Sequence, residues 1–208
     1  MKPDPMIFPN APTPFLLNGL VLAGGKSSRM GVAKEKIQWH GKEQQYAMAD
    51  LLAPFCDGVF ISCRQDQLKN IDGSYLALPD GFTEFGPLGG ILSALDFNRD
   101  TAWMVVACDL PLLDKKALDF LVQQRNPEKV ATTYESPADG GPEPLAAIWE
   151  PKSFPLLMDF IKTGSLSPRK FLMDNDILML KPEDPNVLKN VNTPEERVEI
   201  QQMIENSR

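Results

Sequence analysis

Two stretches of the chain carry side chains whose type and spacing suit phosphate chemistry. The first, NGLVLAGGKSSRMGVAKEKI (residues 18–37), ends a short apolar run in a glycine turn with three basic residues. Gly24 and Gly25 let the backbone reach φ > 0 and approach a ligand closely, so that successive amide N–H groups can point at phosphate oxygens. Lys26, Arg29 and Lys34 supply positive charge, and the combination suits a triphosphate. Neither GxxxxGK[ST] nor a GxGxxG opening a helix is present, so this is a different phosphate turn from the two common ones. The second stretch is AWMVVACDLPLLD (residues 102–114), in which Asp109 is the first charge after an apolar run and is followed closely by Pro111. A carboxylate there is a hard oxygen ligand, suited to Mg²⁺ that bridges phosphate oxygens.

The elements around these stretches would place both at strand ends. Leu20, Val21, Leu22 and Ala23 form a run of the kind expected of a parallel strand buried on both faces, and Met104 to Cys108 form a second. GVFISC, ending in Ser62 and Arg64, and SYLALPDG, closed by Asp80, read as two more strands. Ahead of the first of these, Met48, Leu51, Leu52 and Phe55 have the spacing of one buried helical face. FTEFGPLGGILSALDF is a glycine-proline loop opening into a helix; Gly86, Gly89 and Gly90 permit close approach, and the first helical turn leaves N–H groups free. Asp114 is expected to cap a helix whose inner face is Leu118, Leu121 and Val122. KVATTY and PLAAIWE read as a hairpin joined by the turn-rich ESPADGGPE. Helices are expected over 153–164, with Leu157, Phe160 and Ile161 buried, and over 167–175, with Arg169 and Lys170 on a solvated face. After the strand DILMLKP, Thr193-Pro194-Glu195-Glu196 is a helix start with Thr as N-cap, Pro at N1 and a capping-box Glu. This alternation predicts a three-layer, Rossmann-like α/β fold with a mostly parallel sheet and ligands at the carboxyl ends of its strands.

Composition narrows the function classes. The chain has 208 residues, 43% of them hydrophobic and 24% charged, enough for one sizeable core and short for two. A proline-rich tail over 1–16 and a single domain over 17–208 are expected. A net charge of -7 disfavours a nucleic-acid surface or an anionic membrane, both of which need a basic face. Cys56, Cys63 and Cys108 are widely spaced and fit reduced thiols, hence the cytoplasm. His40, the lone histidine, sits beside Trp39 in a turn and has no partner to orient it for catalysis.

The string LAGGKSSRMG, with Lys34 two residues on after Val32 and Ala33, resembles the nucleotidyltransferase signature of the molybdenum cofactor guanylyltransferase family. GPLGG resembles that family's GPLxG loop, CDLP its metal-binding CDxP, and NVNTPE its NxNTPE string, so the likeness runs in order over residues 18 to 208. The resemblance implies that Leu22, Ala23, Gly24, Gly25, Lys34, Ser62, Asp80, Gly86, Gly89 and Asp109 line the nucleotide, with Gly86 and Gly89 near base and ribose. It also implies that Asn190 and Asn192 approach the acceptor and metal, that Arg29, Lys34 and Asp109 carry catalysis, and that Lys34 is the essential loop lysine. Two positions depart: Ala33 stands where the family commonly has Asp, with Glu35 just beyond the lysine, and Glu143-Pro144 stands where it often has His-Pro. Relatives that transfer CMP are less strict at the first of these.

The chemistry so implied is transfer of GMP from GTP to molybdopterin with release of pyrophosphate, with Mg²⁺ as cofactor and molybdoenzyme-maturation proteins as onward partners. A terminal phosphate of the acceptor is already anionic, so no strong general base is required, and positioning and charge neutralisation carry the reaction. The alternatives are CTP or a sugar-phosphate acceptor, or a nucleotide-binding regulator without turnover.

Overall fold

The computed structural model describes residues 16–23 and 34–206. The expectations for the tail and for Gly24, Gly25, Lys26, Arg29 and Ala33 fall outside the described residues. Among the described residues seven strands, β1 (Leu17–Leu22), β2 (Gly58–Cys63), β3 (Leu76–Pro79), β4 (Ala102–Ala107), β5 (Ala131–Glu135), β6 (Pro142–Trp149) and β7 (Leu178–Leu180), form one sheet of order β3-β2-β1-β4-β6-β5-β7. Strands β1 to β4 run parallel; β6 is antiparallel to both β4 and β5, and β7 is parallel to β5. The sheet is therefore mostly parallel, as the apolar strand runs predict.

Among the described residues six α-helices cover it: α1 (Gln44–Leu52), α2 (Pro87–Phe97), α3 (Lys115–Gln123), α4 (Ser153–Lys162), α5 (Pro168–Met173) and α6 (Pro194–Asn206). The period-2 alternation of the strands sorts side chains between two cores. Val21, Met104 and Val106 pack with Met48, Leu52, Leu118 and Leu121 on one face. Leu20, Trp103 and Val105 pack with Leu88, Ile91, Leu92, Leu157 and Phe171 on the other. This is the three-layer arrangement in which strands must be apolar throughout, and β4 is buried along its whole length. In α4 only Leu157 of the three expected residues is fully buried, while Phe160 and Ile161 lie at the core's margin.

A smaller cluster of Ile37, Trp39, Val191, Ile200 and Ile204 docks α6 beside the segment that leads out of Lys34. Asp114 caps α3 by accepting from the Ala117 amide, and Thr193 and Glu196 form the expected reciprocal cap of α6. Cys63 and Cys108 are buried and Cys56 is half-buried. No helix among the described residues is long and apolar enough to cross a membrane.

Candidate active site

Sheet order reverses between β1 and β4: the chain builds β2 and β3 on one side of β1 and returns to place β4 on the other. Ligands of open α/β sheets bind at such a switch point, outside the strands' carboxyl ends. The strand ends are held level there by backbone bonds that continue the ladders. The Ala23 amide donates to the Ser62 carbonyl (3.3 Å), the Cys108 amide to Leu22 (3.4 Å) and the Asp80 amide to Cys63 (2.9 Å). Together they wall a cavity of about 450 Å³, a size suited to a small-molecule ligand.

Leu22, Ala23, Lys34, Ser62, Asp80, Gly86 and Asp109 all line it, so most of the nucleotide-side residues expected from sequence converge. Gly89 does not. A Cβ on Gly89 would lie 2.1 Å from the Phe82 carbonyl oxygen, so this glycine is required by packing of α2 against the preceding loop. Its neighbour Gly90 faces the cavity instead, where a Cβ would lie 2.5 Å from Leu22 Cδ2 and 2.9 Å from Ser62 Oγ. Gly86, at φ +56° before Pro87, supplies the turn into α2 that only glycine takes without strain.

On the β2 and β3 side, Ser62 Oγ donates to Asp80 Oδ1 at 2.6 Å. Burial raises the Asp80 carboxyl above its usual range, opposed by that hydrogen bond and by the nearby Arg64. The Gly81 amide donates to Ser93 Oγ (2.9 Å), which in turn donates to the Gly89 carbonyl (2.7 Å), tying the end of β3 to α2.

On the β4 side, Lys34 Nζ lies 3.3 Å from Asp109 Oδ2 and donates to Asn192 Oδ1 at 2.7 Å. Residues 158 apart in sequence meet here because the Val191 amide donates to the Asp109 carbonyl at 3.0 Å and Glu196 Oε2 accepts from the Asn192 amide at 2.6 Å. Asp109 Oδ1 is buried and has no hydrogen-bond partner. An orphaned carboxylate oxygen is costly unless a ligand completes it, and a hard divalent cation is the matching group. The donor set thus fits a metal held by Asp109.

Several lining residues were not singled out from sequence. Glu35, directly after Lys34, is buried against the cavity, and Arg64 lies on its rim with its guanidinium on Asp66 (3.1 Å). Leu145 of β6 lines the cavity too. Arg64 sits one residue past the end of β2, the same signal that marks Asp109. The described wall therefore holds Glu35, Asp80 and Asp109 against Lys34 and Arg64. Asn190 is exposed and outside the lining. His40 is exposed, with Nε2 3.0 Å from the Pro111 carbonyl oxygen, and is not a lining residue.

The β5–β6 hairpin lies beside the β4 end. Glu143 of β6 lies close enough to Asp109 to feel its charge. Its carboxyl is raised above the usual range, by burial first and also by the Asp109 charge. Lys170 is exposed and Arg169 is partly so; on this solvated face Arg169 pairs with Asp139 and lies over Gly141, where a Cβ would sit 2.5 Å from Nη2, so α5 is tied to the hairpin.

The MobA-like NTP transferase domain profile matches residues 19–177, three quarters of the chain and every strand that builds the cavity wall. The chain belongs to this family. It is 31% identical over 191 residues to a probable molybdenum cofactor guanylyltransferase of Nostoc, covering 89% of this chain and 90% of that one. It is 35% identical over 181 residues to a molybdenum cofactor biosynthesis bifunctional protein of Synechocystis; that alignment covers 86% of this chain and 52% of the relative, so the chain spans about half of that longer protein. Among solved structures, molybdopterin-guanine dinucleotide biosynthesis protein A from Archaeoglobus fulgidus superposes with a TM-score of 0.76 at 20% identity, covering 91% of this chain and 99% of that one, which supports the fold. As a MobA-like NTP transferase, the chain is a nucleotidyltransferase.

Proposed function

We propose that this chain transfers GMP from GTP to molybdopterin, giving molybdopterin guanine dinucleotide and pyrophosphate, with Mg²⁺ as the metal. The observation that carries the reading is the meeting of Lys34, Asp109 and Asn192 at the β4 end of the nucleotide-sized cavity. Relatives that bear the guanylyltransferase name at 31% identity over nearly their full length support the choice of GTP.

In the reaction, an oxygen of the acceptor's terminal phosphate forms a bond to the α-phosphorus of GTP, and the bond to the β-phosphate oxygen breaks. Asp109 would hold the cation, which when bound neutralises charge on the phosphates. Lys34 places its ammonium on the phosphate oxygens. Asn192 accepts from Lys34 and so aims it. Because the nucleophile enters as an anion, none of these residues needs to take a proton. Ser62 and Asp80 lie at the opposite wall, where Asp80 can accept from guanine N1 and N2 or from ribose hydroxyls. Gly24, Gly25 and Arg29 would close the phosphate side. The protein would work in the cytoplasm and pass its product to molybdoenzyme-maturation proteins.

The test is pyrophosphate release with GTP, CTP, ATP and UTP, with and without molybdopterin. Turnover is expected with GTP and molybdopterin together. Preference for CTP would overturn the base assignment, and tight GTP binding without turnover would favour a regulator. Asp109→Asn, close to isosteric, should keep the fold and lose at least a hundredfold in kcat, by analogy with removal of one preorganised charge-stabilising group.

A further inference from the structure

Lys34 meets Asp109 on the very carboxylate that fits a divalent cation. The ammonium sits 3.3 Å from Oδ2, and Asn192 Oδ1 at 2.7 Å holds it there. The Lys34 and Asp109 side chains are 21% and 24% exposed, so this contact is largely shielded from water. The scaffold under it is fixed: the Val191 amide bonds the Asp109 carbonyl, and Glu196 Oε2 takes the Asn192 and Thr193 amides at 2.6 and 3.1 Å. A divalent cation needs carboxylate oxygens at about 2.1 Å for Mg²⁺. Bound on the partnerless Oδ1, it would still lie within a few ångströms of the ammonium on Oδ2, with strong like-charge repulsion in a partly dry site.

We infer that Lys34 serves as an internal stand-in cation for the metal, so that nucleotide and metal enter the site together and a divalent ion alone is kept out. This rests on the reading of Asp109 as the metal carboxylate. The lysine stem is long and flexible, and a triphosphate presents far more negative charge than one carboxylate. When the nucleotide enters, Lys34 moves its ammonium from Oδ2 to phosphate oxygens, and the Asp109 carboxylate is left to hold the metal. The same residue thereby links the two binding events. Such coupling is reciprocal, so the metal must tighten GTP by the factor by which GTP tightens the metal.

The device makes a prediction opposite to the one usual for an active-site lysine: removing it improves binding of the metal. Mn²⁺, whose free form is counted by its electron paramagnetic resonance signal, is titrated into the full-length protein without nucleotide. Wild type should bind weakly. Lys34→Met, which keeps the stem and removes the charge, should bind at least tenfold more tightly, and Asn192→Ala, which loosens the grip on Lys34, should move in the same direction by less. GTP should tighten Mn²⁺ strongly in wild type and much less in Lys34→Met. Unchanged or weaker Mn²⁺ binding by Lys34→Met overturns the inference. Asp109→Asn separates the two levels: if it fails to weaken Mn²⁺ binding in the presence of GTP, the metal assignment itself is wrong, whereas if it does and Lys34→Met gains nothing, only the stand-in role fails.

Discussion

Asp80 shows how function sets the protonation cost of a single residue. Its carboxyl is raised above the ordinary range by burial against the cavity, while Ser62 and Arg64 work the other way. A folded carboxyl that holds its proton more tightly than the unfolded one is no burden below the ordinary value of about 3.9, where both states are protonated. As pH climbs from there through the raised folded value, the unfolded state ionises more readily and stability falls. Asp80→Asn removes that term and keeps an oxygen to accept from Ser62 Oγ. The variant should therefore be more stable than wild type at pH 7, with the difference shrinking towards pH 4, when both are unfolded by urea across that range. Its GTP affinity should drop about tenfold or more, as expected for loss of a hydrogen bond to a charged group. A stability difference that stays constant with pH would refute the raised carboxyl. Gln44 is a second residue with a cost of this kind, since its side-chain amide is fully buried and has no hydrogen-bond partner.

Helix α2 carries its functional and structural glycines side by side, and they are separable by substitution. Gly89 faces the backbone carbonyl of Phe82 at a would-be 2.1 Å, whereas Gly90 faces the ends of Leu22 and Ser62 at 2.5 and 2.9 Å. Backbone cannot yield as a side-chain end can. Gly89→Ala should thus lose about 1–3 kcal/mol of stability, the usual cost of overpacking, seen as a lower Tm. Gly90→Ala should keep its Tm to within a few degrees but weaken GTP severalfold, because the added methyl intrudes on the cavity wall and on the Ser62–Asp80 bond. Equal effects on Tm would show that the two glycines share one role. GPLGG announces a close approach but not which glycine makes it, because that depends on the rotational phase of α2, which packing of Leu88, Ile91 and Leu92 fixes. By contrast the capping box of α6 was readable, since Thr193 and Glu196 act through local geometry. What they accomplish was not: holding Asn192 against Lys34 depends on contacts across the fold.

At the scale of the whole molecule, strands β1 and β4 were legible because a strand buried on both faces must be apolar throughout, and Asp109 was conspicuous as the first charge beyond one. The insertion of β6 between β4 and β5 was not legible, as pairing partners distant in sequence leave no periodic trace. That insertion brings Leu145 and Glu143 to the β4 end, and it makes the cavity a property of strands far apart in sequence: β1, β2, β4, β6, α2 and Asp80 just past β3 each contribute to it. A ligand bridging them can be released by global unfolding, so its binding energy should appear in full as global stability. At a hundred times its dissociation constant, GTP with Mg²⁺ should add about 2.7 kcal/mol. For a chain of this length each kcal/mol moves Tm by about 2–4 °C, so Tm should rise by roughly 5–10 °C in a thermal scan. With the stand-in role of Lys34, GTP or Mg²⁺ alone at the same concentrations should give well under the sum expected of independent ligands. A shift from Mg²⁺ alone as large as that from the pair would contradict the coupling.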